Sequence, residues 1–231
     1  MTGAQLRRAR RACGWTQAEA AASLGVSQAY VSQLESGRRR VPPRRVREFM
    51  RRPPYRGHLS PTALPLAQTA READVASVLA SLGYPGFAHL RPPPPANPAR
   101  VLLTALRARQ LEARVAEALP WLVLRYLDLD WDWLVAQAKL DNLQNRLGFV
   151  VTLARVRSEG SGRATAARVL RDVENRLEDA ALAKVDSFCE DQMTQSERRW
   201  LETVRSPEAA RWNLLTDLSP TALRYDVPPD S

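Results

Sequence analysis

The chain has 231 residues, 45% of them hydrophobic, and a net charge of +9. Its two cysteines, Cys13 and Cys189, give no disulfide framework and no metal-ligand spacing. No apolar run approaches the roughly 20 residues of a membrane span and no leader pattern precedes the first predicted helix, so the expected setting is a bacterial or phage cytoplasm. Residues 1–57 hold thirteen arginines against three acids, Glu19, Glu35 and Glu48, a net +10, and the rest of the chain therefore sums to −1. Positive charge confined to one segment is the footprint expected for nucleic acid.

The predicted elements begin at once. Leu6, Ala9 and Cys13 give a first helix one apolar stripe. Thr16 and Glu19 have the spacing of a capping box, Gly25 supplies a left-handed helix end, and Ser27 caps the next helix. Ala21, Val26, Val31 and Leu34 are placed to pack these two short helices together, and Gly37 ends the second. Helix, glycine turn and helix in this register make a helix-turn-helix, the element that enters a DNA major groove. With Val31 and Leu34 inward, Gln28, Ala29, Ser32 and Gln33 face outward. Gln pairs with adenine, Ala touches a thymine methyl, and Ser serves several bases, so these four are the candidate base readers. Arg7, Arg8 and Arg11 lie on the first helix, and Arg38, Arg39, Arg40, Arg44, Arg45 and Arg47 follow the reading helix, where guanidiniums position a protein on phosphates without reading sequence.

Residues 3–52 resemble the Cro/cI-type phage-repressor domain, the XRE family, through Arg10, Thr16, Gln17, Ala18, Glu19, Ala21, Gly25, Gln28, Val31, Gln33, Leu34, Glu35 and Gly37. The resemblance implies that Gln17 and Gln28 hold phosphate and that Gln28, Ala29, Ser32 and Gln33 read bases. It implies that Arg38, Arg39, Arg40, Arg44 and Arg45 form a backbone clamp, and that Arg10 and Glu35 make a buried structural ion pair. Ala20 stands where the family usually has a larger apolar residue, and Ser36 where Asn is common. The resemblance covers under a quarter of the chain.

A fourth basic helix is expected over about 43–52, opened by Pro42 and Pro43 and closed by Pro53 and Pro54. Residues 66–82 carry apolar positions at helical period, ending at Gly83. The run Arg91–Pro98 contains four consecutive prolines and reads as a stiff extended arm. From Asn97 to Leu218 the pattern is almost continuously helical. Helices are expected to about Gln110 and from about Glu112 to Leu127, with Pro120 kinking the second or starting a new one. A further helix is capped by Asp130 or Asp132 and stopped by Gly148, another begins at Phe149, and a hairpin loop spans Ser158–Gly162. A helix follows over about 163–182, then one behind a Thr194/Glu197 capping box and a last one from Ser206-Pro207. The expected fold is all-α, with an N-terminal HTH domain of four to five helices and a C-terminal multi-helix domain joined by a Pro-rich segment. The expected divisions are 1–57, a linker at 58–98, a helical dimerisation or effector domain at 99–218, and a tail at 219–231.

Asp128, Asp130 and Asp132 alternate with Leu129, Trp131 and Trp133, a spacing that suggests a metal or phosphoryl-transfer site, but the glycine and distal acid of a calcium loop are missing. A helix cap with packed tryptophans is the favoured reading. Lys139, Asp141, Asn142, Gln144, Asn145 and Arg146 form a dense polar stretch; with Trp131 and Trp133, the residues Lys139, Asn142, Asn145 and Arg146 are the candidate partner surface, with a ligand pocket or plain solvent exposure as alternatives. No set of nucleophile, base and orienting group assembles, and no phosphate-binding glycine loop or zinc motif is present. The expectation is no enzyme, no cofactor and no metal.

The sequence therefore predicts a transcriptional regulator that binds double-stranded DNA as a homodimer on a palindrome. The segments Leu134–Leu153 and Trp200–Leu218 resemble regions of bacterial antitoxin-like regulators, which implies a co-expressed toxin or other protein as partner. A ligand-sensing regulator and an interaction module localised by its HTH are the alternatives.

Overall fold

The computed structural model describes residues 1–66, 75–188, 190 and 192–225, with Arg44 described in its backbone alone. The chain divides into two compact units, Met1–Gln68 and Thr69–Ser231.

The first unit contains α1 (Gly3–Ala12), α2 (Gln17–Leu24), α3 (Gln28–Glu35) and α4 (Pro43–Arg51), followed by a short 3-10 turn at Pro61–Ala63. Local chemistry sets nearly every boundary. Thr16 and Glu19 form a complete capping box at the start of α2, and Gly25 ends that helix with φ 64° and ψ 39°, a conformation that is cheap only without a Cβ. The Ser27 hydroxyl accepts from the Tyr30 amide and starts α3. Thr2 with Gln5 makes a further capping box at α1. Leu6, Ala9, Ala20, Leu24, Leu34, Phe49, Tyr55 and Leu59 form the core, with Trp15, Val26, Tyr30, Val41 and Met50 packed around it. Phe49 and Tyr55 stack at 5.7 Å. Ala20 is fully buried, so the small residue sits at the centre of the packing. Burial pushes the Tyr55 phenol up to about 12, so it enters the core neutral.

The second unit is also mostly helical. It contains α5 (Val75–Ser81), α6 (Pro98–Arg107), α7 (Ala113–Arg125), α8 (Trp131–Leu140), α9 (Gln144–Gly160), α10 (Ala164–Glu178), α11 (Gln195–Val204) and α12 (Pro207–Arg211). Residues 67–74, which include the start of the helix expected from Leu66, lie outside the described residues, as do Cys189 and the end of the tail. The Pro-rich run lies within this unit. The residues before it are anchored there: Tyr84 meets Phe87, Trp121 and Tyr225 at ring centroid distances of 5.3 Å, and the Tyr126 hydroxyl donates to the Leu82 carbonyl at 2.8 Å.

Several expectations for this unit need correction. Gly148 does not stop a helix; α9 runs through it, so no separate helix begins at Phe149. A Cβ at Gly148 would collide with the Trp212 ring, so the glycine exists for close packing rather than for termination. The neighbouring contact is polar: Trp212 Nε1 donates to Thr152 Oγ1 at 2.7 Å. Thr152 in turn donates to the buried Glu174, which also receives Arg155 and Arg211. Helix α7 runs through Pro120, so no new helix starts there. The helix expected to reach residue 182 ends at Glu178. The segment after it is not helical; instead Asp186–Ser187 (β1) pairs in parallel with Leu214–Leu215 (β2). Arg146, with its side chain nine-tenths buried, holds this region by donating to Asp186 and to the carbonyls of Leu106 and Ala108.

Candidate nucleic-acid interface

The first unit presents α3 so that one side is core and the other is free. Val31, Leu34 and Glu35 are buried, whereas Gln28, Ala29, Ser32 and Gln33 are all exposed. The turn of about 100° per residue brings the four exposed side chains onto one face. Val26 and Tyr30 lie at the boundary, half-buried.

Behind this face sits a polar clamp. Arg10 on α1 makes a forked pair with Glu35 on α3, Nε to Oε1 at 2.6 Å and Nη2 to Oε2 at 2.8 Å, and its Nη1 donates to the Trp15 carbonyl. Arg7 adds a bond to the Glu35 main-chain oxygen at 3.1 Å. Burial opposes ionisation of Glu35. The hydrogen bonds from Arg10 and Gln17, and the charges of Arg10 and Arg7, outweigh it and hold the carboxyl below its ordinary value. The hydrogen bond to Glu35 raises Arg10 in turn. Gln17, expected at phosphate, directs its side-chain amide to Glu35 at 3.0 Å. The first turn of α2 is thereby fastened to α3.

The arginines beyond α3 divide by environment. Arg38, Arg39 and Arg40 are exposed and Arg45 is half-buried; the side chain of Arg44 lies outside the described residues. Arg39 lies 4.8 Å and Arg45 5.9 Å from the centroid of the Tyr30 ring. The sequence alone gives Tyr30 no role. Its i, i+2 offset from Gln28 and Ser32 signals neither face of the helix, and the contact with Arg39 arises only when the chain turns back after Gly37.

Residues 2–52 match the family model of the helix-turn-helix domain. This segment is a helix-turn-helix domain, consistent with the XRE type, and it supports a DNA-binding regulator in general. Families of this kind are typically not enzymes. No curated protein and no solved structure matches the chain.

The candidate partner surface of the second unit is not one surface. Asn145 and Arg146 are buried and spent internally: Asn145 exchanges hydrogen bonds with Leu182, and Arg146 holds Asp186. The polar stretch is split by a turn, since α8 ends at Leu140 and Asn142 takes a φ of 58° before α9 begins. Lys139 and Asn142 remain exposed. Trp131 and Trp133 are half-buried; Trp131 Nε1 donates to the Leu127 carbonyl, and Arg100 lies over Trp133 at 5.5 Å. Asp130 is the cap of α8, accepting from the Trp133 amide, and Asp132 pairs with Arg176. Among the described residues no group of His, Cys, Asp and Glu is arranged to hold a metal, and no helix is long and apolar enough to cross a membrane.

Proposed function

We propose that the protein is a sequence-specific transcriptional repressor that binds a palindromic operator as a homodimer. In this reading α3 lies in the major groove, Gln28, Ala29, Ser32 and Gln33 read base edges, and Arg38, Arg39, Arg40, Arg44 and Arg45 hold the flanking phosphates. The observation that carries it is the four-residue exposed face of α3, backed by the Arg10–Glu35 clamp and set in a segment of net +10. One such face spans only a half-site, so two copies are needed for operator affinity. The domain divisions that follow are DNA reading in the first unit and dimerisation or effector contact in the second, in a cytoplasmic protein. Selection of bound sequences from a random duplex library tests it: the wild-type chain should enrich an inverted repeat, and Gln28→Ala with Gln33→Ala should erase the preference within each half-site.

A second reading makes the protein an autoregulating antitoxin. It is favoured by α11, which exposes Trp200 and Val204 one turn apart, an apolar pair suited to a protein partner. An adjacent reading frame whose expression arrests growth, and whose arrest is relieved by the full chain, would establish it. Trp200→Ala should then abolish the relief.

A further inference from the structure

A cleft of about 400 Å³ opens beside the start of α3, lined by Val26, Ser27, Tyr30, Arg39, Pro42 and Arg45. Two guanidiniums converge in it, and none of its lining residues is a carboxylate. Both cations lie near one aromatic ring: the carbons of both guanidinium heads are within the roughly 6 Å at which a ring face attracts a cation. The ring itself is fixed, because Tyr30 packs against the core of the unit and its main-chain amide is held by Ser27. A guanidinium carries five N–H donors in a fixed planar fork, and attraction to a ring acts on its charge rather than on those donors. Its donor edge stays available for the paired oxygens of a phosphate.

We propose that Tyr30 is a positioning residue for DNA: its ring orders Arg39 and Arg45 so that both converge on a single backbone phosphodiester next to the reading helix. The inference rests on the reading of the first unit as a DNA binder and adds to it a preorganised phosphate seat. An acid-free pair of cations is complementary to an anion, and holding both arginines before binding reduces the entropy lost when the phosphate arrives.

The test uses the full chain and a fluorescent 20-base-pair duplex of mixed sequence, titrated by anisotropy over a range of salt. Tyr30→Phe keeps the ring and should bind as the wild type does. Tyr30→Leu should weaken binding about ten-fold at low salt and flatten the plot of log affinity against log salt by about one to two phosphate contacts. In an Arg39→Ala, Arg45→Ala background, Tyr30→Leu should have no further effect. Arg39→Lys with Arg45→Lys keeps both charges and removes the planar forks while leaving Tyr30 in place. It should keep the salt slope, because both charges remain, but lose several-fold in affinity, because an ammonium has no planar fork to align. Wild-type affinity in Tyr30→Leu or in the double lysine variant would overturn the proposal alone. A wild-type chain that binds no duplex at low salt would overturn the DNA-binding reading along with it.

Discussion

The side-chain amide of Gln17 donates to Oε2 of Glu35 at 3.0 Å, tying the first residue of α2 to the last residue of α3. Arg10 reaches the same oxygen from α1. Helix α3 is therefore held at its C-terminal end from both helices that precede it, through one buried carboxylate, which fixes the direction of its outward face. Rigid support of this kind is what lets a set of side chains meet base edges in register.

Arg10→Ala should remove the main counter-charge of a carboxylate whose side chain has no solvent exposure. Breaking a buried pair at one partner costs about 3–5 kcal/mol, much of the stability of a small unit. Hydrogen exchange should show protection lost across α1–α4 while α9 and α10 stay protected, and DNA affinity should fall in parallel. Full protection of α3 in this variant would mean that the apolar core alone holds the unit.

The depressed Glu35 carboxyl also predicts an acid dependence. A group whose folded value lies below its unfolded value contributes stability that is present above the unfolded value and is lost as pH falls through the folded one. Melting of the first unit should therefore drop as pH falls below the ordinary carboxyl value of 4.5. Glu35→Gln should flatten that dependence in a pH series of melting curves. A slope unchanged by Glu35→Gln would assign the acid sensitivity elsewhere, with Glu19 in its capping box the other lowered carboxyl of this unit.

Much of the first unit was legible because its instructions are local. Thr16, Glu19, Gly25 and Ser27 act within three or four residues of their own positions, so spacing alone places the two helices and the turn. The second unit depends on partners far away in sequence. Gly148 signals a stop only if the Trp212 ring, 64 positions later, is left out. Asn145 and Arg146 look like a polar face until Leu182 and Asp186 are brought against them. The β1–β2 pairing joins two dipeptides too short to carry an alternation pattern. Tyr30 carries no such local signal, because its neighbours Arg39 and Arg45 belong to the following loop and helix.

Gly148→Ala should destabilise the second unit although alanine is the better helix former by about 1 kcal/mol. The added methyl has to displace the Trp212 ring, and overpacking costs about 1–3 kcal/mol. Trp212→Ala should cost about 3–5 kcal/mol by leaving a cavity and the Thr152–Glu174 network without its indole donor. Urea unfolding measures both, and a stabilised Gly148→Ala would contradict the packing account.

On DNA, base readers and phosphate holders should fail differently. Gln28→Ala or Gln33→Ala should cost about 1–3 kcal/mol on the preferred operator and relax choice at one position in each half-site. Arg45→Ala should weaken binding to every sequence and reduce the salt slope by about one contact. Equal losses on operator and scrambled duplex for Gln28→Ala would remove it from the reading face.

The most direct measurement is a titration of the purified full chain against the DNA upstream of its own reading frame and against a scrambled duplex, both at about physiological salt. The account predicts binding to the upstream DNA at least about a thousand-fold tighter than to the scrambled control, with two chains per inverted repeat. Equal and weak affinity for the two duplexes, collapsing as salt rises, would contradict sequence-specific repression and leave the helix-turn-helix as a localising element.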